Sequence, residues 1–128
     1  MPKLPWRRGP YTPDAAPMIL LASRFQLRRY RDVVPFFVSA LRIDAQVRRS
    51  DGAIGLALIA QPLRRTFYTL SAWRDHAAID AMIASEPHRS VMSRYHELTT
   101  DSHFTTWSAP AGTPPTWQDA RHHLSTPG

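Results

Sequence analysis

The stretch FYTLSAWRDHAAIDAMIASEPHRSVMSRY, Phe67 to Tyr95, decides the fold. It opens as a strand, because Phe67, Tyr68, Thr69, Leu70 and Trp73 are aromatic, β-branched or large apolar residues set among small ones. The chain then turns over at Trp73-Arg74-Asp75, where the Asp75 carboxylate is placed to accept from free amides in a first helical turn. Ile79, Met82 and Ile83 continue as a helix. Pro87 interrupts that helix, since proline has no N–H and its ring clashes with the preceding turn. A new turn starts there, and His88, Val91, Met92 and Tyr95 fall on one helical face. A histidine therefore sits on an apolar helical stripe just after a proline break.

Working outward toward the N-terminus, Leu63-Arg64-Arg65 reads as a hairpin after Pro62, and Ala53 to Ala60 as the strand before it. In that strand Ile54, Leu56 and Leu58 alternate with Gly55, Ala57 and Ile59, so both faces are apolar and the strand is central. Gly55 and Ala57 keep one face low, with room for a neighbour or a ligand. Asp51-Gly52 is a turn. A helix is expected from about Tyr30 to Val47, on the spacing of Val34, Phe37, Val38, Leu41 and Ala45 with Phe36 and Ile43 flanking, and with Pro35 in its first turn. Residues 17–27 make the first strand. Toward the C-terminus, Thr99 to Ser102 reads as a polar turn and His103 to Ser108 as the last strand.

The order is strand, helix, strand, strand, helix, strand: an α+β, ferredoxin-like βαββαβ unit with a four-stranded antiparallel sheet and two helices on one face. The expected organisation is an extended Pro-rich arm over residues 1–16, the ferredoxin-like domain over 17–108 and a Pro-rich, loop-like tail over 109–128 anchored by Trp117. Pro2, Pro5, Pro10 and Pro13 exclude a helix or central strand from the arm, and Trp6 and Tyr11 suggest that it lies against its own domain or a partner. The strand Phe67 to Trp73 carries apolar bulk on both sides, so the face away from the helices also needs a cover, and a second copy of the chain is the natural one.

At 128 residues one domain is expected. Without cysteine there are no disulfides, thiolate metal sites or cysteine nucleophiles. No stretch approaches the ~20 apolar residues that span a bilayer, and the N-terminus does not read as a signal region. The expectation is a soluble, cytoplasmic protein. The net charge of +6 raises the question of nucleic acid, but the arginines come as pairs at element ends (Arg7-Arg8, Arg28-Arg29, Arg48-Arg49, Arg64-Arg65) rather than as one face. No Gly-rich phosphate loop follows a strand, so no flavin or nicotinamide motif is present. No metalloenzyme spacing and no Gly-x-Ser-x-Gly elbow occurs, and the His122-His123 pair in the tail is a poor metal site.

The run from Phe67 to Met92, with ASRFQLRR (residues 22–29) earlier in the chain, resembles the antibiotic-biosynthesis monooxygenase superfamily of dimeric α/β barrels, and within it the spheroidene-monooxygenase-like branch. The resemblance covers residues 18 to 108 in order and spacing. It implies a homodimer with a pocket between helices and sheet. Among relatives some oxidise aromatic polyketide-like substrates without a cofactor, some bind and degrade haem or use it for oxygenation, and others are isomerases or have no known activity. Fold transfers across such a superfamily better than chemistry does.

Within that frame the leading residue is His88, whose ordinary pKa lies near working pH. It is a candidate general acid–base or, if haem is bound, an iron ligand; read as plain architecture it is a core-edge imidazole. Haem-degrading relatives place the ligand on the same helix but one turn later, at the position of Met92. Trp73, Tyr95, Met92 and Phe37 are candidate substrate-binding walls, and Arg89 and Arg74 candidate partners for an anionic group. His96 lies off the stripe, and His103 faces either pocket or partner. The expected function is a monooxygenase-type oxidoreductase acting on a hydrophobic, planar small molecule, with no required cofactor or with haem. The alternatives are a haem-binding enzyme or carrier, a non-catalytic small-molecule binding or pathway-accessory protein and, weakest, a nucleic-acid-binding module.

Overall fold

Five strands, β1 (Lys3–Arg8), β2 (Met18–Leu27), β3 (Ala53–Gln61), β4 (Thr66–Trp73) and β5 (Thr99–Ala109), form one sheet in the order β1-β3-β4-β2-β5. Every pairing is antiparallel. The helices are α1 (Val33–Val47), α2 (His76–Ala84), α3 (His88–Tyr95) and α4 (Trp117–Ser125). The computed structural model describes residues 3–14, 16–113 and 115–125. Pro2, named above in the arm, and Pro114 and Pro127, two of the prolines of the tail, lie outside the described residues.

The architecture is ferredoxin-like α+β, with a fifth strand and further helices beyond the expected four and two. The fifth strand comes from the arm. Lys3 pairs with Ile59 and Arg8 with Gly55, and a register shift between Leu4 and Arg7 takes up the proline at position 5. A strand with proline is tolerated at a sheet edge with such an irregularity. Trp6 lies on Gly55 so closely that a Cβ there would come within 2.4 Å of its indole. The low surface expected at Gly55 thus receives the chain's own arm. A register shift between Ala53 and Gly55 also sends Ile54 to pack with Met18, Leu20 and Ala72, not with the partners of Leu56 and Leu58.

The stretch expected to be a polar turn, Thr99 to Ser102, is strand: β5 runs the length of β2, pairing Gln26 with Asp101 and Phe25 with Ser102. Ladder bonds to β2 override the weak local preference of these residues. The tail, expected to be loop-like, contains α4. Thr116 starts it by accepting the Asp119 amide on its side-chain oxygen at 3.1 Å. Ala120 and Leu124 then pack against Ala22 and Leu70 on the second face of the sheet. Part of the cover expected from a second copy therefore comes from this chain.

The first face carries α1, α2 and α3. The Asp75 side chain caps α2 by accepting the Ala78 amide at 2.9 Å, which holds its carboxyl below the usual range. Ile79 and Met82 of α2 are buried, whereas Ile83 is exposed. The buried side of α1 is not the one expected. Val34, Val38 and Leu41 are 71%, 46% and 38% exposed, and the helix turns Val33, Phe36, Asp44, Gln46 and Val47 inward. Ser39 is buried on α1 as well, and the two larger polar residues, Asp44 and Gln46, face the core because each finds partners there. Asp44 is bound by the Arg7 guanidinium from β1 and by Arg48 at 3.1 Å. Gln46 bridges to α2 and α3. Buried polar groups are tolerated when paired in this way.

Candidate functional site

A cavity opens between the first face of the sheet and helices α1 to α3. Its inner chamber, of about 80 Å³, has a floor from β2, β3 and β4 and a roof from α1, α2 and α3. An outer recess of about 290 Å³ continues toward the start of β5. Phe25, Phe36, His88, Met92 and Phe104 line both. The walls are mostly apolar, because strand alternation points Leu21, Phe25, Leu58 and Phe67 at the helices. Phe36 meets Phe25 at 5.7 Å, Phe67 at 4.8 Å and Tyr95 at 4.9 Å between ring centroids.

His88 heads α3 and is buried. Its backbone amide donates to Gln46 Oε1 at 2.9 Å, while Gln46 Nε2 donates to the Met82 carbonyl at 2.9 Å. One side chain thus satisfies a carbonyl near the end of α2 and a free amide at the start of α3. The imidazole pKa is lowered by burial, which penalises the charged form; a hydrogen bond to the Ile83 carbonyl opposes this in part. Nδ1 is buried and has no hydrogen-bond partner among the described residues. The neutral tautomer with its proton on the other nitrogen, toward the Ile83 carbonyl, leaves Nδ1 as a bare acceptor.

Three hydroxyls interrupt the apolar floor. Ser23 and Thr69 stand directly opposite each other across β2 and β4, and their side-chain oxygens hydrogen-bond. Ser71, two residues along β4, accepts the Trp73 indole N–H on its Oγ at 2.8 Å. Asp44 also lines the inner chamber, with its charge engaged by Arg7 and Arg48.

The sequence candidates separate on this frame. His88 and Met92 line both chambers, and Tyr95 lines the outer recess. Trp73 lines neither. It is fully buried in the cluster with Ile79 and Met82, and reaches the cavity only through Ser71. Phe37 stacks on Phe67 at 6.2 Å behind the wall, and its neighbour Phe36 takes the lining position. Arg89 is exposed and paired with Glu86 at 2.9 Å; Arg74 is paired with Asp51 and Asp75. His96 is exposed and edges the outer recess. His103 sits opposite Arg24 in the β2–β5 register, on the second face and away from the cavity. His123 stacks on Trp107 at 4.0 Å, and no metal-binding group forms among the described residues. Sequence reasoning missed Phe36, Asp44, Gln46 and the three floor hydroxyls. The available signal was the alternation in SAW: Ser71 and Trp73 two residues apart share one strand face.

The family model described as a domain of unknown function, DUF3291, matches residues 31–126. The chain belongs to the DUF3291 family. That match runs from α1 through α4 and so includes His88 and the whole roof of the cavity. Comparison with curated proteins gives no match. Among solved structures, this DUF3291 chain is similar to SnoaB, a cofactor-independent oxygenase from Streptomyces nogalater. The two are 19% identical at a TM-score of 0.63, over 78% of this chain and 100% of that one. A provisionally named antibiotic biosynthesis monooxygenase from Nitrosomonas europaea matches at 9% identity and a TM-score of 0.67, over 81% and 99%. A conserved protein from Methanosarcina mazei matches at 14% identity and 0.62, over 70% and 90%. The fold is that of the antibiotic-biosynthesis monooxygenase-like proteins, as the resemblance implied.

Proposed function

We propose that this DUF3291 protein is a monooxygenase-type oxidoreductase that works without a bound cofactor on a hydrophobic, planar small molecule. The observation that carries the reading is His88: buried, held neutral by its surroundings, with a bare Nδ1, on the wall common to an inner chamber and an outer recess. A neutral imidazole in an apolar cavity is a general base. It removes a proton from an acidic O–H or activated C–H of the substrate. The resulting anion is electron-rich enough to react with dioxygen. One oxygen atom enters the substrate as a carbonyl in place of two hydrogens, and the other leaves as water. Apolar walls exclude bulk water from the anion. SnoaB, described as a cofactor-independent oxygenase, lends support by fold.

Met92 and Tyr95 form substrate walls in this account. Trp73 acts through Ser71, and Phe37 acts by backing Phe67. The assembly that goes with it is a homodimer in the cytoplasm; the dimer is favoured by the partly exposed Trp6, which lies over Gly55 of the sheet. The bare Nδ1 also favours one other reading, haem ligation by His88. The chain offers that reading little else, since Arg89, the expected propionate partner, is exposed and tied to Glu86. An absorbance spectrum before and after adding haemin separates the two: haem ligation gives a shifted Soret band lost in His88→Ala, and the cofactor-free enzyme gives none. Oxygen uptake without added cofactor, in wild type and His88→Gln, is the test of the proposal itself.

A further inference from the structure

The cavity floor has a hydrogen-bonding sense, and Trp73 fixes it. An indole N–H can only donate, so at 2.8 Å it occupies a lone pair of Ser71 Oγ. Ser71 keeps its own proton, and no acceptor for it lies among the described residues. Ser23 and Thr69 bond to each other. One of their two protons makes that bond, and the second has no further acceptor among the described residues. Ser23 and Ser71 are only 3% and 7% exposed, so bulk water does not take up their spare protons. Two uncommitted donors therefore lie under the inner chamber. The other polar lining groups are His88, whose Nδ1 is a bare acceptor, and Asp44, already engaged by two arginines.

Size narrows the occupant. The inner chamber of about 80 Å³ is smaller than the ~150 Å³ cavity that takes a benzene ring. It accepts a carbonyl or acyl group. The outer recess of about 290 Å³ is near the lower bound of ~300 Å³ for small-molecule sites and takes the ring.

We propose that Ser71, with Ser23 and Thr69, is the subsite for the carbonyl oxygen of an aryl carbonyl ligand whose planar body lies in the outer recess. This rests on the reading of His88 as base and names the substrate class for it. When His88 Nδ1 takes the proton from the acidic position conjugated to that carbonyl, the electron pair left behind delocalises onto the carbonyl oxygen. The charge then appears over the chamber floor that carries the Ser71 and Ser23–Thr69 hydroxyls. Donors fixed at a developing oxyanion in a dry site are an effective form of stabilisation. Trp73 is a positioning residue here, since its N–H turns the Ser71 proton away from the indole.

The test is binding, with no turnover required. Methyl naphthyl ketone is compared with ethylnaphthalene, which has the same body without the oxygen, by fluorescence titration and isotope-edited infrared spectroscopy. The carbonyl stretch of the bound ketone is expected below its value in an apolar solvent. Ser71→Ala is expected to raise that stretch and weaken the ketone roughly tenfold, with ethylnaphthalene unaffected. Thr69→Val gives a second, smaller shift. The proposal is overturned by a ketone that does not bind, by a stretch at its apolar-solvent value, or by a stretch indifferent to both variants. Should neither variant fold, the wild-type stretch alone decides. A ketone held as expected by a protein that oxygenates nothing leaves the subsite standing and removes the oxygenase reading; oxygenation with an unperturbed carbonyl does the reverse.

Discussion

Gln46 Oε1 accepts the backbone amide of His88 at 2.9 Å, so the residue at the head of the site is tied to the middle of another helix. The same side chain donates to the Met82 carbonyl. Replacing Gln46 by Leu leaves a buried amide and a buried carbonyl short of partners, each worth about 1–3 kcal/mol when unsatisfied. The expected outcome is a loss of stability within that range or somewhat above it, read from urea denaturation. Gln46→Glu keeps the acceptor for His88 but sets a buried carboxylate against the Met82 carbonyl, so its loss is at least as large and grows as pH rises through the carboxyl's titration.

The depressed pKa of His88 makes stability depend on pH in a definite direction. The folded protein releases its proton more readily than the unfolded chain, whose imidazole has the ordinary value of 6.5. Between the two values the unfolded state binds more protons, so stability rises with pH through that window. It is fully present above about 6.5 and lost as pH falls through the folded value. Urea midpoints from neutral to acid pH should show this slope in wild type and its reduction in His88→Gln, while the imidazole proton shifts in NMR report the lowered value directly. Catalysis that needs the neutral ring should keep its base to a pH below that of a free histidine.

The ion pair of Arg7 with Asp44 fastens the edge strand β1 to α1. Arg7→Ala leaves a buried carboxylate with Arg48 alone. Removing one partner of a buried pair costs about 3–5 kcal/mol; the remaining arginine and the partial exposure of Arg7 bring the expected loss to about half of that. Amide hydrogen exchange should accelerate first along β1, ahead of β2 and β4.

Leu124 and Ala120 are the residues by which α4 covers Ala22 and Leu70. Leu124→Ala is expected to cost about 2–4 kcal/mol. Truncation before Thr116 should expose that apolar patch, increasing dye binding and self-association in light scattering.

The parts of this molecule that were legible in its sequence are those where one physical signal acts alone. Alternation in Phe67 to Trp73 assigned the two faces of β4, and the spacing of His88, Val91, Met92 and Tyr95 put them on the cavity side of α3. The face of α1 was misread because hydrophobic spacing treats Asp44 and Gln46 as outward. Their inward placement depends on Arg7, Met82 and His88, partners 36 to 42 residues distant along the chain. The tail helix was hidden by its prolines, although Thr116 and Asp119 carried a capping signal. The exchange of Phe37 for Phe36 as a lining residue follows from the same phase error on α1. The hydroxyl floor was visible only once β2 and β4 were in register, since Ser23 and Thr69 are 46 residues apart.

The central claim is that His88 is the base of a cofactor-free oxygenation, and oxygen uptake tests it most directly. Purified protein without added cofactor is presented with a panel of planar hydroquinones and hydroxyaryl ketones in an oxygen-electrode cell. The account expects uptake with at least one of them, one oxygen consumed per product formed, and a rate lowered roughly 10²-fold or more in His88→Gln. No uptake above buffer with any of them, or uptake equal in wild type and His88→Gln, would contradict it.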